Sequence, residues 1–174
     1  CPDLSIKSDE GRKNSFKNII FIKNSKGYQD LIKIYTRAAQ DGFYYEPRMD
    51  FKTLKNMWSN DLLLAVPFYD SFLYNNKYNN SQCIPDFSFA SPFFFKEDND
   101  TLLDEDMGKA VDKFCEGKYE VVKTKSIYYK DREDFSAYLT HRCINKRTSL
   151  EKPNFDGMCS NNFCYESYKE AVNG

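Results

Sequence analysis

The sequence predicts an α/β fold, and two observations carry that prediction. The apolar run Ile19-Ile20-Phe21-Ile22 is strand-sized and is followed at once by residues with helical periodicity. The same strand-and-helix alternation then recurs down the chain, the pattern of strands joined by right-handed crossovers. With 174 residues, 41% hydrophobic and 17% aromatic, the chain has ample apolar material for a core. No repeat, linker or low-complexity block interrupts it, so a single domain over residues 1–174 is expected.

The first strand covers Ile19 to Ile22. Apolar on every residue and bounded by Lys and Asn, it reads as a strand buried on both faces of a parallel sheet. After Asn24-Ser25-Lys26-Gly27, the residues Tyr28, Leu31, Ile32, Tyr35, Ala38 and Ala39 recur at helical spacing, and Gly42 closes the helix. Asp50 caps a short helix through Leu54 and Trp58. A strand follows at Leu62 to Val66, ended by Pro67.

Tyr69 to Asp86, rich in Asn, Tyr and Ser, reads as loop or irregular helix. Phe87 to Phe95 holds one strand at most, because Pro92 interrupts it. Thr101 to Cys115 is the best helix, with Leu103, Met107, Ala110, Val111 and Phe114 on one face and Asp104, Glu105 and Asp106 at its amino end. Gly117 stops it. Tyr119 to Thr124 reads as a strand, Asp131 to Ile144 as a helix, Pro153 to Asn162 as a polar loop and Ser167 to Ala171 as a last short helix.

Composition excludes several function classes. Twenty-five Lys and Arg against 26 Asp and Glu leave a net charge of −1, so any nucleic-acid contact must be local. His141 is the only histidine, which removes most zinc catalytic sites and any Ser-His-Asp or Cys-His arrangement that does not pass through it. Phosphate loops, nucleophile elbows and zinc-finger spacings are missing. No apolar run reaches the roughly 18 residues of a membrane span, and no secretory signal opens the chain, so a soluble, cytoplasmic protein is expected. The cysteines at 1, 83, 115, 143, 159 and 164 are expected to be reduced and mostly buried.

The order of the pieces carries a resemblance. Phe21-Ile22-Lys23-Asn24-Ser25-Lys26-Gly27-Tyr28, then Gly42-Phe43-Tyr44-Tyr45-Glu46-Pro47-Arg48-Met49-Asp50, resembles the polymerase-and-histidinol-phosphatase (PHP) domain. The form it resembles stands at the amino end of bacterial replicative DNA polymerase III alpha subunits. That family has a strand ending Ala-Lys-Asn, then Gly-Tyr and a helix, then Tyr-x-Pro-Arg-Ile-Asp. Further on, Ser126-Ile127-Tyr128-Tyr129-Lys130-Asp131-Arg132-Glu133-Asp134 falls where the family has Asp-Val-His-Tyr-Leu-x-x-Glu-Asp. Ala137-Tyr138 stands for its Ala-His, and Asn162-Phe163 with Ser167 and Glu170 follows its closing segment.

The resemblance implies a distorted, incomplete (β/α)7-type PHP barrel lacking its first strand and His-x-His segment, with up to three metals at the strand ends in active members. The departures matter most. Ser126 and Tyr128 replace the late Asp-x-His pair, so both are degenerate metal-site positions whose hydroxyls are expected to make hydrogen bonds instead. Only Cys1 and Asp3 could be remnant ligands near the missing segment, and a plainer reading makes them a strand end. His141 replaces an apolar family position and is expected at the surface.

Arg48 is a candidate conformational latch or partner contact, or else part of a turn-stabilising ion pair. Lys123, Lys125, Lys130, Arg132, Lys146 and Arg147 form a candidate DNA or partner patch, interleaved with tyrosines and with enough acids to be a mixed solvated face. The expected role is a structural, partner-binding module of a replicative polymerase that is itself not catalytic. Its expected partners are the rest of a polymerase chain or other replisome proteins, with weak DNA contact and no membrane. No cofactor is expected; Zn or Mn would enter only in an alternative reading, a non-canonical metal-dependent phosphoesterase. A further alternative is a stand-alone phage-derived interaction module. An incomplete barrel would leave an open sheet edge, to be filled by a partner segment or by self-association.

Overall fold

A computed structural model of the chain describes residues 6–146 and 160–173. Its elements are mixed: α1 (Asp9–Lys13), β1 (Ile19–Ile22), α2 (Ser25–Asp41), α3 (Phe51–Met57), β2 (Leu62–Val66), α4 (Phe72–Tyr78), β3 (Phe93–Lys96), α5 (Asp104–Cys115), β4 (Val121–Lys123), α6 (Phe135–Lys146) and α7 (Tyr165–Asn173), with a 3-10 turn at Arg132–Asp134. The α/β class holds. The four strands lie in the order β1-β2-β3-β4 and the sheet does not close, so the barrel is not what these elements form.

Local chemistry explains the helix ends. The Asn24 side chain accepts from the amides of Lys26 and Gly27, which starts α2 three residues earlier than its apolar spacing alone suggests, and Gly42 ends it. Asp50 caps α3 through Thr53, and Ser71 caps α4 through Tyr74. The last of these resolves the Asn-rich stretch, which reads as loop or irregular helix, into a regular helix over Phe72–Tyr78. Gly117, at φ +66°, turns the chain after α5.

β1 corrects the expectation of a buried parallel strand. It runs antiparallel to β2, with Ile19 opposite Ala65 and Ile22 opposite Leu62, and it occupies the sheet edge with Phe21 and Ile22 exposed. Two helices, α2 and α3, separate the strands, so the chain enters β2 beside the end of β1 and runs back along it. β2 and β3 are parallel, Ala65 facing Phe93 and Val66 facing Phe94.

The chain divides into two compact units, residues 1–95 with 110–122 and residues 96–109 with 123–174. The first is organised around Phe72, whose ring meets Phe16, Phe87, Phe94 and Phe114 at centroid distances of 5.2 to 6.4 Å. Burying such a ring is worth about 2–3 kcal/mol, before the edge-to-face contributions. On the other side, Ile34 of α2, Leu54 of α3 and Leu62 of β2 form a buried cluster joined by Ile20, Leu31 and Trp58. In the second unit, Phe163 and Cys164 are fully buried and an isolated parallel bridge joins Tyr129 to Cys164.

Among the described cysteines, one parts from expectation. Cys83 is disulfide-bonded, whereas Cys115, Cys143 and Cys164 are free thiols. Spacing along the chain could not reveal this, because a bridge depends on which cysteines the fold brings together. Among the described residues, no helix is long and apolar enough to cross a membrane.

Candidate functional site

In the second unit, the segment after β3 makes a tight turn through Glu97 to Thr101. The Asp104 carboxylate, buried at the start of α5, accepts from the amides of Asn99 at 2.7 Å and Thr101 at 3.1 Å. That fold-back fixes the turn and aims Glu97 and Asn99 inward. Glu97 is buried, and three donors meet its carboxylate: Ser126 Oγ at 2.9 Å on Oε1, and the Ser126 amide at 2.9 Å and Asn99 Nδ2 at 2.8 Å on Oε2. Hydrogen bonds to a charged acceptor are the strong kind, so they compensate much of the cost of burying the carboxylate. Two further bonds hold the same segments together, Thr124 N to Lys96 O at 2.9 Å and Lys125 Nζ to Asp98 O at 2.8 Å.

Tyr128 lies two residues beyond Ser126 in extended chain. Its ring stacks on Tyr138 of α6 at 5.7 Å with planes 12° apart, and lies 5.6 Å from Phe163. Burial raises the Tyr128 hydroxyl above its ordinary value and keeps it a neutral phenol. Tyr129 is pushed up to about 12, first by burial and then by the neighbouring Cys164 thiol. Arg142 Nη1 donates to the Tyr138 hydroxyl at 3.0 Å, with its guanidinium 5.8 Å from the ring centroid.

This arrangement presents neutral hydroxyls, stacked rings and one carboxylate already holding three protein donors. Among the described residues, no group of three His, Cys, Asp or Glu side chains is placed to hold a metal ion. Asp100 turns outward and accepts from Asn162 Nδ2.

The basic candidates are dispersed in role. Arg132 Nη1 and Nη2 grip Glu170, Nη2 also reaches Asn162 Oδ1 at 3.4 Å, and the Arg132 amide donates to Glu166 at 3.2 Å. Lys130 pairs with Asp131 at 3.0 Å, and Lys123 is exposed on β4. Lys146 ends α6, while Arg147, Cys1 and Asp3 lie outside the described residues. Arg48 belongs to the other unit: its Nη2 donates to Tyr44 O at 2.7 Å and its guanidinium lies 5.1 Å from the Tyr44 ring, a turn clasp with no acid among the described residues. His141 is exposed on α6, its Nε2 2.9 Å from Asn145 Nδ2.

Sequence reasoning singled out Ser126 and Tyr128 and did not name Glu97 or Asn99, which the structure brings to Ser126. The available signal was position: polar residues directly after the carboxyl end of a strand are where α/β folds place their sites.

No known protein-family model matches the chain. Three curated proteins do. The DNA polymerase III alpha subunit of Aquifex aeolicus (strain VF5) is 24% identical over 153 residues, covering 82% of this chain and 13% of its own length. That of Thermus aquaticus is 26% identical over 149 residues, covering 79% and 12%. That of Treponema pallidum (strain Nichols) is 25% identical over 147 residues, covering 78% and 12%. This chain is thus similar, over about four-fifths of its length, to a region that makes up 12 to 13% of DNA polymerase III alpha subunits.

Proposed function

We propose that the chain is a PHP-like region related to the DNA polymerase III alpha subunit and acts in DNA replication as a structural and partner-binding module, its metal site replaced by hydrogen bonds and ring packing. One observation carries this reading. Ser126, at the position where the resemblance implies a metal-binding Asp, donates twice to buried Glu97, and Tyr128, at the position of a metal-binding His, is stacked on Tyr138. Both side chains are thereby turned to holding the fold. Its partners are the remainder of a polymerase chain or other replisome proteins, recognised through surfaces outside this cluster.

Elemental analysis of the folded, chelator-free protein tests the reading, alongside hydrolysis of a 3′-labelled single strand with added Zn or Mn. The expected result is less than about a tenth of an equivalent of metal and no hydrolysis. One or more tightly held equivalents, or metal-dependent cleavage, would replace this reading with that of a non-canonical phosphoesterase.

A further inference from the structure

Two features of the first unit have no partner among the described residues. The first is the outer edge of β1. Lys23 N donates to Asp61 O across the ladder, so Ile19, Phe21 and Lys23 spend their backbone groups on β2, and by alternation Ile20 and Ile22 direct theirs away from it. β2 is the only strand neighbour of β1 among the described residues.

The second is a stripe on α2. Gly27, Leu31, Ile34 and Ala38 face the core. At about 100° per residue, Tyr28, Ile32 and Tyr35 form a separate row, which is 54%, 47% and 64% exposed. The opposite flank of the helix carries Lys26 and Asp30, and Lys26 pairs with Asp61 at 3.3 Å, at the start of β2. Because that flank faces β2, the Tyr28-Ile32-Tyr35 row projects the other way, toward the edge of β1 that no described strand pairs.

We infer that this ledge is the interface for a second copy of the chain, β1 pairing antiparallel with its counterpart while the two α2 stripes meet on one face of the joined sheet. The geometry is self-complementary. Ile34 of α2 and Leu62 of β2 belong to one buried cluster, and Ile20 of β1 packs against that cluster, so α2 lies over the face that the two strands share. Strands lie about 4.8 Å apart, so a two-fold axis half a spacing outside β1 puts the α2 axes about 10 Å apart, the distance at which helices interdigitate. Centred on Phe21, the pairing sets Ile20 against Ile22 of the second copy and uses all four outward backbone groups.

Charge permits the meeting. The ionic residues of α2 are paired within the chain, Lys26 with Asp61, Lys33 with Asp30 and Arg37 with Asp41. Gln29, Thr36 and Gln40, next to the stripe on its solvent side, are uncharged. Area permits it too: Phe21, Ile22, Tyr28, Ile32 and Tyr35 each leave roughly 100 Å² exposed, so two copies cover about 1,000 Å², the lower bound for a specific interface.

Sedimentation velocity of the full chain over about two decades of concentration around 10 µM tests this, with Tyr35→Glu and Ile22→Pro as variants. Tyr35 is exposed, and the Ile22 amide makes no bond to β2, so circular dichroism should match the parent for both. The expected result is a reversible dimer that each variant weakens at least about tenfold, with Ile20 and Ile22 amides protected from exchange only at high concentration. A monomer throughout the range, or a dimer that either variant leaves intact, overturns the inference.

Discussion

Arg132 holds Glu170 with both terminal guanidinium nitrogens, Nη1 on Oε1 at 3.0 Å and Nη2 on Oε2 at 2.5 Å, and so ties the turn before α6 to α7. The bond from Arg132 keeps the Glu170 carboxyl below its ordinary value of 4.5. A carboxylate depressed in the folded state favours folding above its unfolded pKa, and that contribution is lost as pH falls through the folded value. Thermal melts from neutral pH downward should therefore show a decline beginning near the ordinary carboxylate range. Glu170→Gln should remove part of that decline while lowering stability slightly at neutral pH, since the pair is exposed. Arg132→Lys should behave like Glu170→Gln, because a lysine cannot make the two-pronged contact; an unchanged pH profile in both variants would show that the pair does not couple to folding.

Ser126→Ala removes a hydroxyl donor from a buried carboxylate while leaving the backbone donor in place. The loss should be about 1.5–3 kcal/mol in urea unfolding with an unchanged slope, the range for a hydrogen bond to a charged group. A loss under about 0.5 kcal/mol would mean the Glu97 carboxylate is satisfied without the serine hydroxyl.

Gly27 is fixed by contact. A Cβ there would lie 2.3 Å from the Asp61 carbonyl oxygen, a backbone atom that cannot swing aside. Gly27→Ala should therefore push α2 off the start of β2 and cost about 1–3 kcal/mol, despite alanine's better helix propensity. Chemical denaturation gives the sign directly: stabilisation would mean that the helix shifts without cost.

Burial, with the Asp112 charge adding to it, raises the Cys115 thiol from 9.0 to about 11. A thiol held at about 11 has about a hundredfold less thiolate at pH 8 than one at 9.0, so iodoacetamide should modify Cys115 only after unfolding. Mass spectrometry of peptides labelled before and after denaturation reads this. Because the folded pKa is the higher one, the thiol's contribution is intact below pH 9 and is lost as pH rises through about 11, so Cys115→Ala should flatten alkaline melts in that window.

What the sequence makes legible here is local. Asn24, Asp50, Gly42 and Gly117 act on backbone groups within a few residues, and each ends or begins a helix where its chemistry requires. The direction and neighbours of Ile19–Ile22 are another matter: four apolar residues look the same at an antiparallel edge as inside a parallel sheet. The Asn-rich α4 hid behind poor propensity, and Ser71, Phe72 and Asn75 stabilise it through a cap and two buried contacts that only the fold supplies. At the site, Ser126 and Tyr128 were visible as departures from a motif, but their partners Glu97 and Tyr138 stand 29 residues before and 10 after, a separation no local pattern spans.

The Phe72 ring sets the order in which the first unit can be made. Its neighbours include Phe16, 56 residues upstream, and Phe114, 42 residues downstream. A nascent chain that has reached α4 therefore carries unsheltered phenylalanines, because α5 and β3 have yet to be synthesised. Contacts so far apart in sequence close late and slowly. Truncations ending before Phe114 should therefore aggregate rather than fold to a smaller core.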